Sequence, residues 1–163
     1  MVKESETSIE ELVQKLAAKL IEKGWMLATA ESCTGGMIAA VCTDLAGSSQ
    51  WFDRGFVTYS NEAKTEMLGV PAELIEKHGA VSEEVVRAMA EGAIRHSRAQ
   101  VSIAVTGVAG PGGGSVEKPV GTVWVGVAIK DSTYSTLLKI SGQRHKVRED
   151  SLLSVFLLAN NKF

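Results

Sequence analysis

Several residue classes are scarce in this sequence. Its 163 residues include only two cysteines, Cys33 and Cys42, and only three prolines. Two cysteines do not make a disulfide framework, so we expect free thiols in a reducing cytoplasm. No apolar run approaches the ~18–20 residues of a membrane-spanning helix, and residues 1–11 are acidic rather than signal-like. These shortages disfavour a disulfide-stapled secreted protein and an integral membrane protein.

The chain also has no large excess of positive or negative charge. The 17 basic and 19 acidic residues give a net charge of −2. A protein that binds nucleic acid or a membrane surface usually carries a basic patch, so neither partner is predicted. The three histidines, His78, His96 and His145, have no cysteine or carboxylate at ligand spacing, and neither a metal nor a cofactor is predicted.

The hydrophobic content is sufficient for one globular domain. Hydrophobic residues make up 45% of the chain, and a chain of this length buries roughly 70% of its unfolded surface. No repeat, low-complexity tract or linker divides it, so residues 1–163 are expected to form a single domain.

Hydrophobic periodicity predicts an α/β protein in which helices separate most of the strands. Such strands pair in parallel, whereas the short link at residues 130–132 forces an antiparallel hairpin. We therefore expect a mixed, mostly parallel sheet of about five strands with helices on both faces. The predicted helices cover residues 8–23, 36–45, 62–68, 71–78, 82–98 and 145–159, and the predicted strands cover residues 25–30, 56–59, 101–106, 121–129 and 133–140.

The chain is organised around residues 28–36, which read Ala-Thr-Ala-Glu-Ser-Cys-Thr-Gly-Gly. An apolar run precedes this stretch and helix formers follow it, so it is predicted to be a strand, a tight turn and the start of a helix. The first N–H groups of such a helix are unpaired and favour an anion or a developing oxyanion. The structural alternative is that Thr34 only caps the helix and the glycines only allow close packing.

Lys64 is a second candidate for chemistry. Ser60 or Asn61 is a good N-cap for the helix over residues 62–68, which places Lys64 in its first turn. The positive end of the helix dipole favours the neutral amine there. The alternative is an ordinary solvated surface lysine.

A glycine-rich loop, residues 107–115, follows the strand over residues 101–106. It lacks the Gly-Lys-Ser/Thr of a Walker loop and does not open a helix, so neither classical nucleotide-binding motif is supported. Open α/β sheets bind ligands at such strand ends, which makes the loop either a ligand-binding rim or a plain connection.

Several motifs together resemble the CinA C-terminal domain family, the nicotinamide-nucleotide amidases. Over residues 12–148 they follow the family's order: Thr-Ala-Glu-Ser-Cys-Thr-Gly-Gly at 29–36, Ala-Gly-Ser-Ser at 46–49, Val-Thr-Tyr-Ser-Asn at 57–61, and Gly-Val-Ala-Gly-Pro at 107–111. The resemblance implies a three-layer α/β/α fold and hydrolysis of the carboxamide of nicotinamide mononucleotide to nicotinic acid mononucleotide and ammonia. It also implies the free-standing form of the family, without the additional N-terminal domain of longer members.

The resemblance also implies roles for individual residues. Ser32 would be the nucleophile, and Tyr59 and Lys64 its polar partners. Apart from the resemblance, Cys33 is the competing candidate because a thiol is intrinsically the better nucleophile. A phosphate is bound by a bidentate or point-like cation, so Arg144, Arg148, Arg54 and Lys118 are its candidate ligands, with Arg144 favoured because it follows a glycine turn in the family's motif. The pocket would be lined by Thr34, Gly35, Gly36, Thr106, Gly107 and Gly110.

One position departs from the family's pattern. Gln143 stands where the family usually has an aspartate before Arg144. The loss of that carboxylate keeps open an alternative function, a paralogue that binds a nucleotide-like ligand without turnover. Whether the exposed faces form a homo-oligomer also stays open.

Overall fold

A computed structural model describes residues 7–163, so residues 1–6 of the acidic start lie outside the described part. No helix within residues 7–163 is long and apolar enough to cross a bilayer. In chain order the elements are α1 (Ile9–Lys23), β1 (Leu27–Glu31), α2 (Met37–Thr43), β2 (Phe52–Val57), α3 (Asn61–Leu68), α4 (Ala72–His78), α5 (Glu83–Arg95), β3 (Val101–Gly107), β4 (Thr122–Ile129), β5 (Ser132–Lys139) and α6 (Arg144–Lys162).

The five strands form one sheet in the order β2-β1-β3-β4-β5. β1 pairs in parallel with both β2 and β3, whereas β3–β4 and β4–β5 are antiparallel. The predicted mixed sheet and its terminal hairpin are therefore confirmed. The chain leaves β1 towards β2 and later returns to the other side of β1 as β3, which opens a crevice between the two loops that follow β1 and β3.

The helices form two layers, one on each face of the sheet, and each layer packs around its own hydrophobic core. On one face α1, α2 and α6 cover the sheet around Leu16, Ile38 and Phe156. On the other face α3, α4 and α5 cover it around Leu68 and Met89. This arrangement confirms the expected three-layer α/β/α architecture.

Local sequence signals account for the ends of these helices. Ser8 and Glu11 form a reciprocal capping box at the start of α1, and Gly24 ends that helix in the left-handed conformation. Ser60 caps α3 through the N–H of Ala63, and Ser82 caps α5 through the N–H of Val85. The caps fix where α3 begins, and with it the position of Lys64.

The edge strand β2 differs from its prediction. It begins at Phe52, earlier than expected, and ends at Val57, so Thr58 and Tyr59 belong to the loop that follows. The start of this strand was not predicted because three residues interrupt its apolar pattern: Asp53, Arg54 and Gly55. An edge strand tolerates polar residues and glycine because one of its sides is open to solvent. The shift places the backbone of Thr58 and Tyr59 at the sheet's carboxyl edge.

Candidate active site

The carboxyl ends of β1, β2 and β3 meet at one edge of the sheet. The loops that follow these strands, together with the start of α6, surround a cavity of about 320 Å³. It is lined by Ser32, Cys33, Tyr59, Asn61, Lys64, Ala80, Val81, Thr106, Gly107, Val108, Ala109, Gly110, Gly112, Gly113 and Arg144.

Ser32 begins the turn after β1 and lies at the floor of this cavity. Its backbone N–H donates to the carbonyl of Val105 at 3.0 Å, which ties the turn to β3. The residue is 8% exposed, and its hydroxyl oxygen lies 3.1 Å from the Nζ atom of Lys64. The serine hydroxyl is therefore close to a nitrogen that can exchange a proton with it.

The side chain of Lys64 is 1% exposed, unlike an ordinary surface lysine. Besides Ser32, its Nζ atom contacts the carbonyl oxygens of Thr58 at 3.1 Å and Tyr59 at 3.3 Å. Within residues 7–163 no carboxylate pairs with it. Burial therefore lowers the pKa of Lys64 below its usual 10.5, which favours the neutral amine that a general base requires.

Cys33 follows Ser32 directly, but its thiol has a different environment. The side chain is buried in the core beneath α6, and burial raises the pKa of Cys33 to about 11. A neutral thiol is a weak nucleophile compared with the thiolate. Both residues line the cavity, but only Ser32 makes a hydrogen bond with Lys64, whereas the buried side chain of Cys33 belongs to the hydrophobic core cluster.

Glu31 is a functional candidate that the sequence reasoning missed. It is fully buried at the end of β1, and its carboxylate accepts hydrogen bonds from the Thr34 hydroxyl at 2.7 Å and the Ile38 N–H at 2.8 Å. The N–H of Ala39 donates to its second oxygen at 3.1 Å. The unpaired N–H groups expected at the start of α2 are therefore partly occupied by a carboxylate of the chain itself. The only sequence signal was an acidic residue directly before the turn.

The opposite side of the same turn contacts Arg148 of α6. The guanidinium donates to the carbonyl of Cys33 at 3.1 Å and to the carbonyl of Thr34 at 3.3 Å. Arg148 was one of four candidates for phosphate binding, but its donors are directed at the backbone of the turn.

Tyr59 and Arg144 lie together at the rim of the cavity. Tyr59 is 63% exposed, and its hydroxyl lies 3.5 Å from a guanidinium nitrogen of Arg144. Another nitrogen of Arg144 donates to the carbonyl of Gly110 at 2.8 Å. Tyr59 thus reaches Lys64 through its backbone carbonyl, and its side chain reaches Arg144.

Three other predicted pocket residues also line the cavity. Thr106 donates its hydroxyl to the carbonyl of Ala80 at 2.9 Å. A Cβ atom at Gly107 would lie 2.7 Å from Val123, so only glycine fits there. A Cβ atom at Gly110 would collide with Val120. Close packing therefore explains these two glycines.

The remaining predicted residues do not reach the cavity. Thr34 is fully buried against Glu31, and neither Gly35 nor Gly36 is among the lining residues. Arg54, on the edge strand, pairs with Asp53 at 2.8 Å. Lys118 donates to the carbonyl of His78 at 2.7 Å, at the end of α4. The side chains of Thr34, Arg54 and Lys118 therefore each have a structural partner outside the cavity.

Some lining residues had no prediction. Asn61 begins α3, and Ala80 and Val81 connect α4 to α5; all three reach the cavity because α3 and α4 pack beside β2 and α5. Asn61 was noted as a possible helix cap and as part of the motif at residues 57–61, but no role in the pocket was assigned to it or to the small apolar residues. Within residues 7–163, no three His, Cys, Asp or Glu side chains cluster in a way that could hold a metal ion.

Comparison with known proteins identifies relatives along almost the whole chain. The family model described as the CinA C-terminal domain matches residues 9–162. A protein of Enterobacter agglomerans named nicotinamide-nucleotide amidohydrolase PncC is 55% identical over 145 residues, which cover 88% of each chain. A protein of the same name from Escherichia coli strain K12 is 49% identical over 148 residues, which cover 90% of each chain.

Solved structures show the same fold. The competence-damaged protein (CinA) superfamily protein from Enterobacter cloacae has a TM-score of 0.95 at 34% sequence identity, covering 99% of this chain and 96% of the other. The competence/damage inducible protein CihA from Agrobacterium tumefaciens has a TM-score of 0.89 at 44% identity, covering 94% and 95%. The architecture described above is therefore shared over essentially its full length.

Proposed function

This chain belongs to the CinA C-terminal domain family, and we propose that it is an amidase that hydrolyses the carboxamide of nicotinamide mononucleotide, giving nicotinic acid mononucleotide and ammonia. The observation that carries the proposal is the 3.1 Å contact between Ser32 and the buried Lys64. The names of the two relatives from Enterobacter agglomerans and Escherichia coli support the choice of substrate.

The first half of the reaction transfers the acyl group to Ser32. The hydroxyl oxygen attacks the carboxamide carbon while its proton moves to the neutral amine of Lys64. The carbonyl oxygen becomes the oxyanion of a tetrahedral intermediate. When the C–N bond breaks, Lys64 returns the proton to the departing nitrogen, and ammonia leaves behind an ester on Ser32.

The second half releases the acid. A water molecule attacks the ester carbon and gives a proton to Lys64, and the second tetrahedral intermediate collapses as Lys64 returns that proton to the Ser32 oxygen. Lys64 thus ends each half neutral. Its three carbonyl neighbours, Thr58, Tyr59 and Ser60, accept hydrogen bonds from the ammonium form that exists between the steps.

A backbone N–H group of the Ser32 turn is the proposed donor to the oxyanion. Within residues 7–163 the N–H group of Cys33 has no hydrogen-bond acceptor on another residue, whereas Ile38 and Ala39 donate to Glu31. A preorganised donor at a developing oxyanion contributes roughly 3–4 kcal/mol in other enzymes. We therefore assign this role to the N–H group of Cys33, which lines the cavity, whereas Thr34 is fully buried outside it.

Arg144 is the proposed phosphate ligand. It lines the cavity at the first residue of α6, where the helix dipole also favours an anion. Gln143, the residue before it, caps α6 without a side-chain hydrogen bond. Arg144 is oriented instead by the Gly110 carbonyl, so its position does not need a carboxylate at residue 143.

The proposal is tested by measuring ammonia release from nicotinamide mononucleotide, with binding measured by calorimetry in parallel. We expect turnover by the wild type, and binding without turnover by Ser32→Ala. Tight binding of the mononucleotide without turnover by the wild type would instead identify a binding protein. Activity retained by Ser32→Ala would remove Ser32 as the nucleophile.

A further inference from the structure

The cavity beside Ser32 has a basic and aromatic lining. Among the residues of the described range 7–163 that line it, one has an aromatic side chain and none has a carboxylate. The aromatic residue is Tyr59, and the basic groups are the amine of Lys64 and the guanidinium of Arg144. The substrate of the proposed function carries a positive charge on its pyridinium ring, next to the carboxamide that reacts. The lining side chains therefore offer no acidic partner for this charge.

Tyr59 extends from the nucleophile to the proposed phosphate ligand. Its carbonyl oxygen lies 3.3 Å from the Nζ atom of Lys64 and 3.5 Å from the hydroxyl oxygen of Ser32. At the other end of the residue, the phenol hydroxyl lies 3.5 Å from a guanidinium nitrogen of Arg144. Because all four residues line the cavity, the ring between these two ends follows the path of a substrate whose carboxamide is at Ser32 and whose phosphate is at Arg144.

The ring of Tyr59 lacks the partners that other aromatic rings of this chain have. Within residues 7–163 it neither stacks on another aromatic ring nor lies beneath a lysine or arginine cation. The rings of Trp25, Phe163 and Tyr134, by contrast, each have a lysine amine within 6.0 Å of their centres. Since Tyr59 is also 63% exposed, its ring is accessible to a ligand in the cavity.

We propose that the ring of Tyr59 determines specificity for a cationic heteroaromatic ring, by stacking against the pyridinium of the substrate. The negative face of an aromatic ring attracts a cation, and this attraction is stronger where water is displaced. A pyridinium is flat, so it offers contact area as well as charge. The inference deepens the proposed function and rests on it for the identity of the substrate.

The stacking contact acts on binding rather than on the chemical step. The pyridinium keeps its charge when the hydroxyl of Ser32 attacks the carboxamide, so Tyr59 stabilises the bound substrate and the transition state to a similar degree. Loss of such uniform binding raises KM and leaves kcat nearly unchanged. A role of the Tyr59 hydroxyl in proton transfer would instead lower kcat.

The test compares Tyr59→Leu, which removes the ring, with Tyr59→Phe, which removes only the hydroxyl. Each is placed in the Ser32→Ala background, where calorimetry measures binding of nicotinamide mononucleotide and of its dihydro form, whose reduced ring is neutral. Binding is compared because reduction also changes the reactivity of the carboxamide. The matched control is Tyr134→Leu, since this second tyrosine lies on β5 beneath Lys162 and outside the cavity lining.

We expect Ser32→Ala to bind the oxidised mononucleotide more tightly than the dihydro form, and the added Tyr59→Leu to reduce this preference roughly three- to tenfold. Tyr59→Phe and Tyr134→Leu should keep the preference. In the active enzyme, Tyr59→Leu should raise KM for ammonia release by a similar factor, with kcat within about threefold of the wild-type value. Tyr59→Leu should fold, because the side chain is largely exposed.

An unchanged preference in Tyr59→Leu would overturn the stacking role. A preference lost equally in Tyr59→Phe, or a fall in kcat without a rise in KM, would also overturn it and assign the function to the hydroxyl. If the wild type releases no ammonia but the preference depends on the Tyr59 ring, the proposed function fails and this inference stands. Turnover with a preference that does not depend on Tyr59 gives the reverse, and if neither mononucleotide binds, both fail.

Discussion

The Nζ atom of Lys64 lies 3.1 Å from the hydroxyl oxygen of Ser32, although Ser32 is in the turn after β1 and Lys64 is in α3, which follows β2. The contact depends on the parallel pairing of β1 with β2, which brings both strand ends to the same edge. It also depends on the cap at Ser60, since the Lys64 N–H donates to the Ser60 carbonyl at 3.2 Å in the first turn of α3.

Replacement of Cys33 should leave the reaction intact. Cys33→Ala removes a thiol that is buried in the core and whose pKa is raised to about 11, so at neutral pH no thiolate is lost. We expect kcat for ammonia release within a few-fold of wild type, and a stability loss of about 1 kcal/mol from the missing sulfur. An abolished kcat in a folded Cys33→Ala variant, with Ser32→Ala active, would contradict this assignment.

The rate should rise with pH. Burial lowers the pKa of Lys64, and below that pKa the amine is protonated and cannot accept the proton of Ser32. We therefore expect kcat/KM to increase as the pH rises through the lowered pKa and to level off before the usual lysine value of ~10.4.

The same shift affects stability. Between the folded and the unfolded pKa of Lys64 the unfolded chain binds more protons, so the free energy of unfolding rises with pH there. Lys64→Met should be inactive and should lack this part of the pH dependence. A wild-type rate that falls with rising pH over the same window would argue against Lys64 as the base.

Arg144 should determine the preference for the phosphorylated substrate. We compare the mononucleotide with its phosphate-free riboside and expect Arg144→Ala to lose most of the preference, roughly 10-fold or more, since a charged hydrogen bond contributes about 1.5–3 kcal/mol. Arg54→Ala is the matched control, because Arg54 pairs with Asp53 on the edge strand. An unchanged preference in Arg144→Ala would remove this residue from the phosphate site.

Glu31 should be essential for the stability of the turn. In Glu31→Gln an amide NH₂ replaces one carboxylate oxygen. At least one of the two backbone N–H groups that donate to Glu31, those of Ile38 and Ala39, then loses its acceptor. Each unsatisfied buried donor costs about 1–3 kcal/mol, so urea denaturation should show a loss of that order. Glu22→Gln, on the exposed side of α1, should change stability by less than about 0.5 kcal/mol.

The sequence predicted the order of the layers and the strand–turn–helix at Ser32, because hydrophobic periodicity and caps are local signals. It did not predict which backbone N–H groups of that turn and of the start of α2 have an acceptor within the chain and which do not. The carboxylate of Glu31 reaches forward across the turn to the N–H groups of Ile38 and Ala39, a contact that depends on how the turn folds back over β1.

The two arginines of α6 show a second limit. Arg144 and Arg148 are four residues apart, and the sequence offered both as phosphate ligands. In the structure Arg144 lines the cavity, whereas Arg148 contacts the back of the Ser32 turn. The rotation and depth of α6 against the sheet separate their roles, and these follow from tertiary packing rather than from any local pattern.

The strand order β2-β1-β3 also has a consequence for how activity is acquired during folding. The Ser32–Lys64 contact needs β1 and β2, but the cavity wall at Thr106 needs β3 inserted on the other side of β1, and the rim needs Arg144 from the last helix. Contacts between distant parts of a chain form slowly because loop closure precedes their stabilisation. Catalytic turnover thus requires the complete topology, and during refolding it should return after helical structure does.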